Sequence, residues 1–485
     1  MSAASGEGAS SEGDALDAFY EETSVNLEVL KQAHSVLGSR FVVFAVICFA
    51  GFIATSGTIA FGIVSATLAS DLDLTVIQSA MLSASPLLSA FCLAVPVSLI
   101  ARSIGGRMVL FSLLVISGSS ILVIAGVLQW VPLAQLPSLY PLFVIMGLGV
   151  GFGLVNINSS VVQLSEWFPR KQNGTVLGVF LFSVSMGPAV FGAFADPAIE
   201  TMTLPGFFLL WGLFFYIAGA IVLVLAHNPP YIQLSRRLRK GSNNKVESLP
   251  GTSSRNLVAA PTISQAEILT VCRLLGQDVL PMANVSLDLK KSLTRLTNWM
   301  VITVASLSLG CLLGTIVWIP TFFEGIFGTA PRISGFLVFG YGAASALGCG
   351  LGGILADRFN FWIVGFLFNA LSMVSFVVVG VSTVFGVTVG AIICVGFFSA
   401  GANTSAYKLV FAVLTEGNAG TVGWMESGGN LMSFCIPLIF GAIVSGSSLA
   451  SEDSLRLGMA VPASFMLVCI VALIICYWNQ RRGNA

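Results

Sequence analysis

Amide and hydroxyl side chains recur inside otherwise apolar stretches of this sequence, where they could recognise a small polar solute. Asn156, Ser160 and Gln163 follow one another at spacings of four and three residues, which places them on one face of a helix. Asn158 and Asn403 are further amides in such stretches. Because an unpaired amide in hydrocarbon is costly, each must face a protein partner or a water-filled cavity. The pattern predicts recognition of a solute by hydrogen bonds.

The other candidate solute-binding residues are Thr55, Thr315, Trp318, Thr404, Tyr407 and Lys408. Asn403 shares a helical face with Tyr407, and Thr404 shares another with Lys408. Hydrogen bonding between helices is the alternative explanation for the Ser, Thr and Asn residues of both sets.

Two ionisable residues lie within apolar stretches, which makes them functional candidates. Glu426 stands six residues after Gly420, inside one such stretch, and Lys408 lies near the end of another. Protonation would relieve the cost of burying a carboxylate, so Glu426 is the candidate for proton coupling. The alternative is an ion pair between Glu426 and Lys408.

The sequence contains no constellation typical of catalysis. Its two histidines, His34 and His227, are accompanied by no metal-ligand spacing, phosphate loop or nucleophile motif. Eight of the nine cysteines lie in apolar runs, which favours buried thiols. We therefore expect no enzyme activity, no metal and no cofactor. The 22 basic residues balance the 22 acidic residues, and this argues against a nucleic-acid partner.

Composition identifies the class of protein. Of the 485 residues, 56% are hydrophobic and only 9% are charged, against about 25% charged in a soluble domain. The mean hydropathy is +0.92. So few charges could not cover the surface of a soluble protein of this size, so the sequence predicts an integral membrane protein with the lipid bilayer as its first partner.

Twelve apolar stretches have the length needed to cross a bilayer as helices. They lie near 41–67, 76–101, 108–129, 137–165, 173–195, 206–227, 298–323, 332–356, 361–383, 385–412, 420–446 and 458–478. The predicted fold is all-α, with twelve transmembrane helices in two pseudo-symmetric six-helix bundles. The expected divisions are an acidic tail (1–38), an N-terminal bundle (39–227), a central loop (228–296), a C-terminal bundle (297–478) and a short tail (479–485).

The distribution of basic residues predicts the orientation. If the N-terminus is cytoplasmic, Arg332 and Arg456 are the only external ones among the 22 Lys and Arg residues. Both tails and the central loop are then cytoplasmic. The sequence leaves open which membrane holds the protein, and neither the tail nor the loop has a readable partner.

The two halves repeat one another. Residues 151–160 read GFGLVNINSS and residues 396–405 read GFFSAGANTS, which makes Asn158 and Asn403 repeat partners. The tripeptide Gly-Thr-Val occurs at 174–176 and again at 420–422. Because these matches fall in order at almost constant offset, a duplication is the better explanation than chance.

The whole arrangement, from about residue 40 to 480, resembles the major facilitator superfamily. The signature loop of that family, roughly G-x-x-x-D-R-x-G-R, is matched by GGILADRFN at 352–360. Its counterpart in the first half is IARSIGGR at 100–107, where Ala101 replaces the Asp. The resemblance implies two bundles that rock around a central site, and a cytoplasmic latch between them.

The gating residues expected at that latch are Arg102, Arg107, Glu166, Arg170, Asp357 and Arg358. Opposite charges at adjacent helix ends can pair when the cytoplasmic face closes. Asp357 can also lie at the N-terminus of a neighbouring helix and interact with its dipole. The alternative is that these charges only determine topology and face water.

Within the superfamily, residues 166–178 (EWFPRKQNGTVLG) are similar to the nitrate/nitrite porter branch, and organic-anion antiporters share parts of the pattern. That branch carries an Arg in its second span and another in its eighth span. Ala94 and Cys349 occupy those places here. The resemblance therefore gives no ground for assigning nitrate as the solute of this protein.

We expect a secondary transporter that works by alternating access on a small polar or singly charged metabolite, of the carboxylate or amino-acid class. Proton symport is one expectation, and a monomer is another. The alternatives are an inorganic anion porter, or a receptor of the same fold that binds solute without transport.

Overall fold

A computed structural model describes residues 39–71, 76–228, 290, 293–413, 418–446 and 451–483. The predicted acidic tail and nearly all of the predicted central loop lie outside the described residues.

The described part of the chain contains twelve helices that are long and apolar enough to cross a membrane. The prediction of an all-α membrane protein with two six-helix bundles is confirmed. The first bundle consists of α1 (Arg40–Asp71), α2 (Val76–Ile104), α3 (Gly106–Trp130), α4a (Tyr140–Val150), α4b (Phe152–Trp167), α5 (Asn173–Met202) and α6 (Leu204–Leu225). The second consists of α7a (Leu296–Ile316), α7b (Ile319–Phe327), α8 (Pro331–Arg358), α9 (Phe361–Val381), α10 (Phe385–Val413), α11 (Asn418–Gly446), α12a (Ser451–Ala460) and α12b (Pro462–Gly483).

Two helix pairs join the bundles, α5 with α8 and α2 with α11. Glycine allows the close approach of α5 and α8: a Cβ atom on Gly178 would lie 2.8 Å from the carbonyl oxygen of Cys349. On the other side, the Ser427 hydroxyl of α11 donates to the Phe91 carbonyl of α2 at 2.7 Å. Small residues thus let the backbones of opposite halves pack directly, as is common between transmembrane helices.

The glycine contact between α5 and α8 can be tested with Gly353→Ala. A Cβ atom at this position would overlap the Gly174 carbonyl and lie 2.8 Å from the Gly178 Cα, both of which are backbone atoms. We expect a clear fall in the melting temperature in detergent, because the two helices must separate. Gly350→Ala is the matched control on the same helix, since its Cβ would lie an ordinary 3.8 Å from Phe182. Equal melting temperatures for the two variants would contradict this contact.

Candidate functional site

The carboxylate of Asp357, near the end of α8, binds the first residues of α5 in the other bundle. Its Oδ1 accepts a hydrogen bond from the Gly174 amide at 3.0 Å, and its Oδ2 accepts one from the Thr175 amide at 2.5 Å. Because α5 begins at Asn173, these amides belong to the helix N-terminus, where a negative charge is stabilised. The structure thus places Asp357 as the sequence suggested. We call this end of the protein the latch end.

Lys408 of α10 completes this contact. Its Nζ lies 2.7 Å from Asp357 Oδ1, and the two side chains are only 9% and 8% exposed. The same Nζ also donates to the Lys171 carbonyl of the first bundle at 3.4 Å. The predicted alternative, an ion pair between Lys408 and Glu426, is wrong, because Lys408 pairs with Asp357 at the end of α8 in its own bundle.

The latch is asymmetric between the two halves. In the first half Ala101, which is buried, stands where the signature has an acid. The Arg107 guanidinium donates instead to the Leu223 carbonyl of α6, within its own bundle. Among the other predicted gating residues, Glu166 is half-buried and Arg358 is exposed. The side chains of Arg102 and Arg170 lie outside the described part of the structure.

Two buried amides form the centre of the candidate solute site. Asn158 of α4b is 1% exposed, and neither polar atom of its side chain has a hydrogen-bond partner among the described residues. Asn403 of α10 is 3% exposed, and its Oδ1 likewise has no partner there. Buried amides in proteins are almost always satisfied, so these two repeat partners are candidates for hydrogen bonds to a polar solute.

The residues of the predicted polar face of α4b have different hydrogen-bond partners in the structure. Asn156 accepts a hydrogen bond from the Ser160 hydroxyl at 3.0 Å, while its Nδ2 has no partner among the described residues. Gln163 instead donates to the His227 carbonyl at 3.0 Å, at the end of α6. Asn156 and Ser160 therefore stay together on one face of α4b, on the opposite side of the helix from Asn158, whereas Gln163 links helices of the first bundle.

Thr55 and Thr404 make hydrogen bonds that hold helices together or stay within one helix. The Thr55 hydroxyl donates to the Val184 carbonyl of α5 at 2.7 Å, and the Thr404 hydroxyl donates to the Ala400 carbonyl at 3.1 Å. Tyr407 is buried, and its hydroxyl bonds to no described residue. Hydrogen bonding between helices, the alternative explanation from the sequence, thus accounts for Thr55.

Thr315 and Trp318 lie at the break between α7a and α7b. The Trp318 ring stacks on Phe440 with centroids 4.2 Å apart. The Thr315 hydroxyl and the Trp318 indole nitrogen have no partner among the described residues. Thr315 follows the start of α7a by 19 residues, or about 28 Å at 1.5 Å per residue. These two residues are therefore far from the latch end.

Asn158, Asn403 and Glu426 lie at one common depth. They are separated by nine, ten and eight residues from the latch-end termini of α4b, α10 and α11. At 1.5 Å per residue this is about 12–15 Å, close to half of a hydrocarbon core about 30 Å thick. The middle of the membrane is also where transporters of two related halves place their solute.

Glu426 is 3% exposed and makes no hydrogen bond or ion pair through its carboxylate with any described residue. Its neighbours show how α11 is turned: Ser427 bonds to α2, and the Met425 carbonyl accepts from Ser306 of α7a at 3.2 Å. Glu426 lies between these two contact faces on the helix. It therefore points into the protein.

Sequence reasoning missed the amides of Gly174 and Thr175 as partners of Asp357. The available signal was the Gly-Thr-Val repeat, which indicated a duplication but not a contact. In the second copy, the Thr421 hydroxyl accepts a hydrogen bond from Asn298 at 3.3 Å, so the two copies have different contacts.

Comparisons with known proteins agree with this architecture. The family described as Major Facilitator Superfamily matches residues 47–437. The chain is 26% identical over 184 residues to a nitrite extrusion protein of Bacillus subtilis (strain 168), covering 38% of this chain and 45% of that protein. The chain thus matches less than half the length of this relative.

Solved structures show the same fold at low sequence identity. A proton:xylose symporter superposes with a TM-score of 0.65 at 15% identity, covering 90% of this chain and 95% of the other. The fucose:proton symporter of E. coli (TM-score 0.57) and a human organic anion transporter (TM-score 0.61) are each 14% identical, and each covers 90% of this chain and 99% of its own.

Proposed function

This chain belongs to the Major Facilitator Superfamily and is a secondary transporter, and from that premise we propose that its solute is a small polar metabolite bound between the bundles at the level of Asn158 and Asn403. The observation that carries the proposal is the pair of buried amides, of which both polar atoms of Asn158 and the Oδ1 of Asn403 have no hydrogen-bond partner among the described residues. A solute with hydroxyl, amide or amino groups would satisfy them.

The charge at the site favours an uncharged or zwitterionic solute over a simple carboxylate. Lys408 was the candidate cation for a carboxylate, but Asp357 neutralises it at the latch end. Amides and hydroxyls remain near the midplane. Sugar symporters are among the proteins with this fold, and an amino acid would equally carry no net charge.

The latch contacts support an alternating-access cycle. Asp357 with the start of α5, and Lys408 with the Lys171 carbonyl, join the two bundles at one end. Opening a path from the site to that end requires these bonds to break. With the orientation expected from the basic residues, this end is cytoplasmic, and the described conformation is closed on that side. One chain, acting as a monomer, suffices for this cycle.

Glu426 is the proposed proton-coupling group. It lies at the depth of the two amides. The charged residues of the helices packed against α11 are Arg102, Glu166, Lys408, Glu452, Asp453 and Arg456. Ionising a carboxyl group that has no ion-pair partner at the midplane costs free energy, and protonation removes this cost. A proton bound to Glu426 and a solute bound at the same depth would then both stabilise the closed conformation.

We expect Glu426→Gln to abolish the dependence of uptake on an imposed pH gradient while leaving exchange of solute across the membrane. Gln mimics the protonated carboxyl and cannot release a proton. The measurement is uptake into proteoliposomes with and without a gradient, compared with counterflow at equal pH. Retention of gradient-driven uptake by this variant would contradict the role of Glu426.

The experiment that tests the proposed solute class is a thermal-shift screen of the purified protein, followed by counterflow of each hit. Sugars, amino acids, mono- and dicarboxylates, nitrate and nitrite form the panel, because a solute that binds the folded state raises its melting temperature. Hits among neutral or zwitterionic solutes support the proposal. A response to nitrite or nitrate alone would favour the alternative function, an inorganic anion porter. The partial likeness to the nitrite extrusion protein supports that alternative. Binding without counterflow would favour a receptor.

A further inference from the structure

An open groove with aromatic and basic lining lies at the latch end of the second bundle, away from the solute site. It has a volume of about 570 Å³ and runs between the start of α9 and the end of α12b. Its lining residues are Phe359, Asn360, Phe361, Trp362, Tyr477, Gln480 and Arg481. This volume falls within the range of about 300–1,000 Å³ that is usual for small-molecule sites. A groove on a surface that meets lipid is directly accessible to the lipids of the surrounding leaflet.

The aromatic side chains of the groove are arranged as one surface. The rings of Trp362 and Tyr477 meet edge to face, with centroids 5.6 Å apart. The Arg481 guanidinium lies over the Tyr477 ring, 5.0 Å from its centroid. This cation–π contact holds the positive charge at the groove.

The residues that line the groove carry only positive charge. None of them is acidic, and Arg482 follows Arg481 in the sequence. The apolar side chains around it are turned outward, with Phe359 65% and Trp478 60% exposed. Exposed aromatic residues beside arginine at a helix end are typical of the boundary between hydrocarbon and headgroups.

We propose that this groove binds the headgroup of an anionic phospholipid from the surrounding leaflet. Arg481 faces the lipid phosphate, the Asn360 and Gln480 amides offer hydrogen bonds to the glycerol and headgroup, and the aromatic rings pack against the first acyl carbons. With the expected orientation this is the cytoplasmic leaflet, where anionic lipids concentrate. The occupied groove would link α9 to α12b through the lipid, next to the end of α8 that carries Asp357.

Native mass spectrometry of the purified protein with phosphatidylglycerol or phosphatidylcholine tests this site. We expect the wild-type protein to retain phosphatidylglycerol in preference to phosphatidylcholine. Arg481→Gln should retain at least one fewer phosphatidylglycerol molecule, whereas Arg358→Gln, which removes the same charge outside the groove, should resemble the wild type. Equal retention by wild type and Arg481→Gln, or no preference between the lipids, would overturn the proposal.

Fluorescence provides an independent measurement. Brominated phosphatidylglycerol should quench the part of the emission that is lost in Trp362→Phe, and brominated phosphatidylcholine should quench it less. Displacement of the lipid by an excess of inorganic phosphate would overturn the proposal in favour of a site for a soluble anion. Arg481 is exposed, so its substitution should leave the melting temperature unchanged and the comparison interpretable.

Discussion

Asp357→Asn is expected to lower the free energy of unfolding by about 3–5 kcal/mol, the usual cost of removing one partner from a buried ion pair. The substitution removes the negative charge of Asp357 from the buried Lys408 ammonium and weakens the hydrogen bonds from the Gly174 and Thr175 amides. The latch end should open more often. Thermal or denaturant unfolding of the purified protein measures the first effect, and transport measures the second.

The natural cysteine Cys349 allows the opening of the latch end to be measured by chemical labelling. This thiol is 2% exposed at the contact of α8 with α5, and a hydrogen bond of 3.7 Å joins it to Ser185. Maleimide labelling at Cys349, followed by peptide mass spectrometry, should be faster in Asp357→Asn than in the wild type. Unchanged labelling together with an unchanged melting temperature would show that the Asp357 contact does not hold the bundles together.

Lys408→Met is the matched comparison for Asp357→Asn. Asp357 then keeps its two hydrogen bonds from the N-terminus of α5, so the loss of stability should be smaller than for Asp357→Asn. In the double variant no charge remains unpaired, and it should be more stable than Asp357→Asn alone. A double-mutant cycle that shows additive effects would contradict direct pairing.

Asn158→Ala is expected to weaken solute binding roughly 10- to 100-fold, because it removes a donor and an acceptor that each contribute about 0.5–1.5 kcal/mol. Stability without solute should stay the same or rise slightly, since the amide has no partner among the described residues and Ala favours the helix. Isothermal titration or counterflow gives the affinity, and unfolding without solute gives the stability. Asn403→Ala should also lose affinity, because its Oδ1 has no partner among the described residues.

Asn369 provides the control for both amides. It is also a fully buried transmembrane asparagine, but its Nδ2 donates to the Gly365 carbonyl at 2.8 Å and its Oδ1 accepts from Ser308 at 3.3 Å. Asn369→Ala should therefore reduce stability by about 1 kcal/mol and leave solute affinity unchanged. If Asn158→Ala behaves like Asn369→Ala, losing stability but not affinity, then Asn158 packs helices and does not bind solute.

Several features of the fold could be predicted from the sequence because each depends on short stretches of chain. The length of an apolar run is set by the thickness of the bilayer, so the twelve spans were found with errors of a few residues at their ends. The breaks at Gly151 and after Ile316 were not predicted. They depend on contacts with neighbouring helices, and on Pro320 starting a new helix after the second break.

The candidate site was predictable only in outline. Helical spacing correctly put Asn156 and Ser160 together, but it also put Gln163 with them, although Gln163 bonds to the end of α6. Spacing gives the face of one helix and not what that face meets. Whether a polar residue binds a neighbour or remains available to a solute depends on how the adjacent helices are rotated.

The sequence by itself determined that this is an integral membrane protein with twelve helices in two related halves, because hydropathy and repeated motifs are properties of the chain read in order. Only the tertiary structure decided the partner of Lys408. In the sequence Asp357 and Glu426 are 51 and 18 residues away from it, and the nearer carboxylate is the wrong one. The packing of α8 and α10 against α5 brings Asp357 to Lys408, while the rotation of α11 leaves Glu426 facing the interior. Distances between side chains on different helices follow from packing, and no local pattern records them.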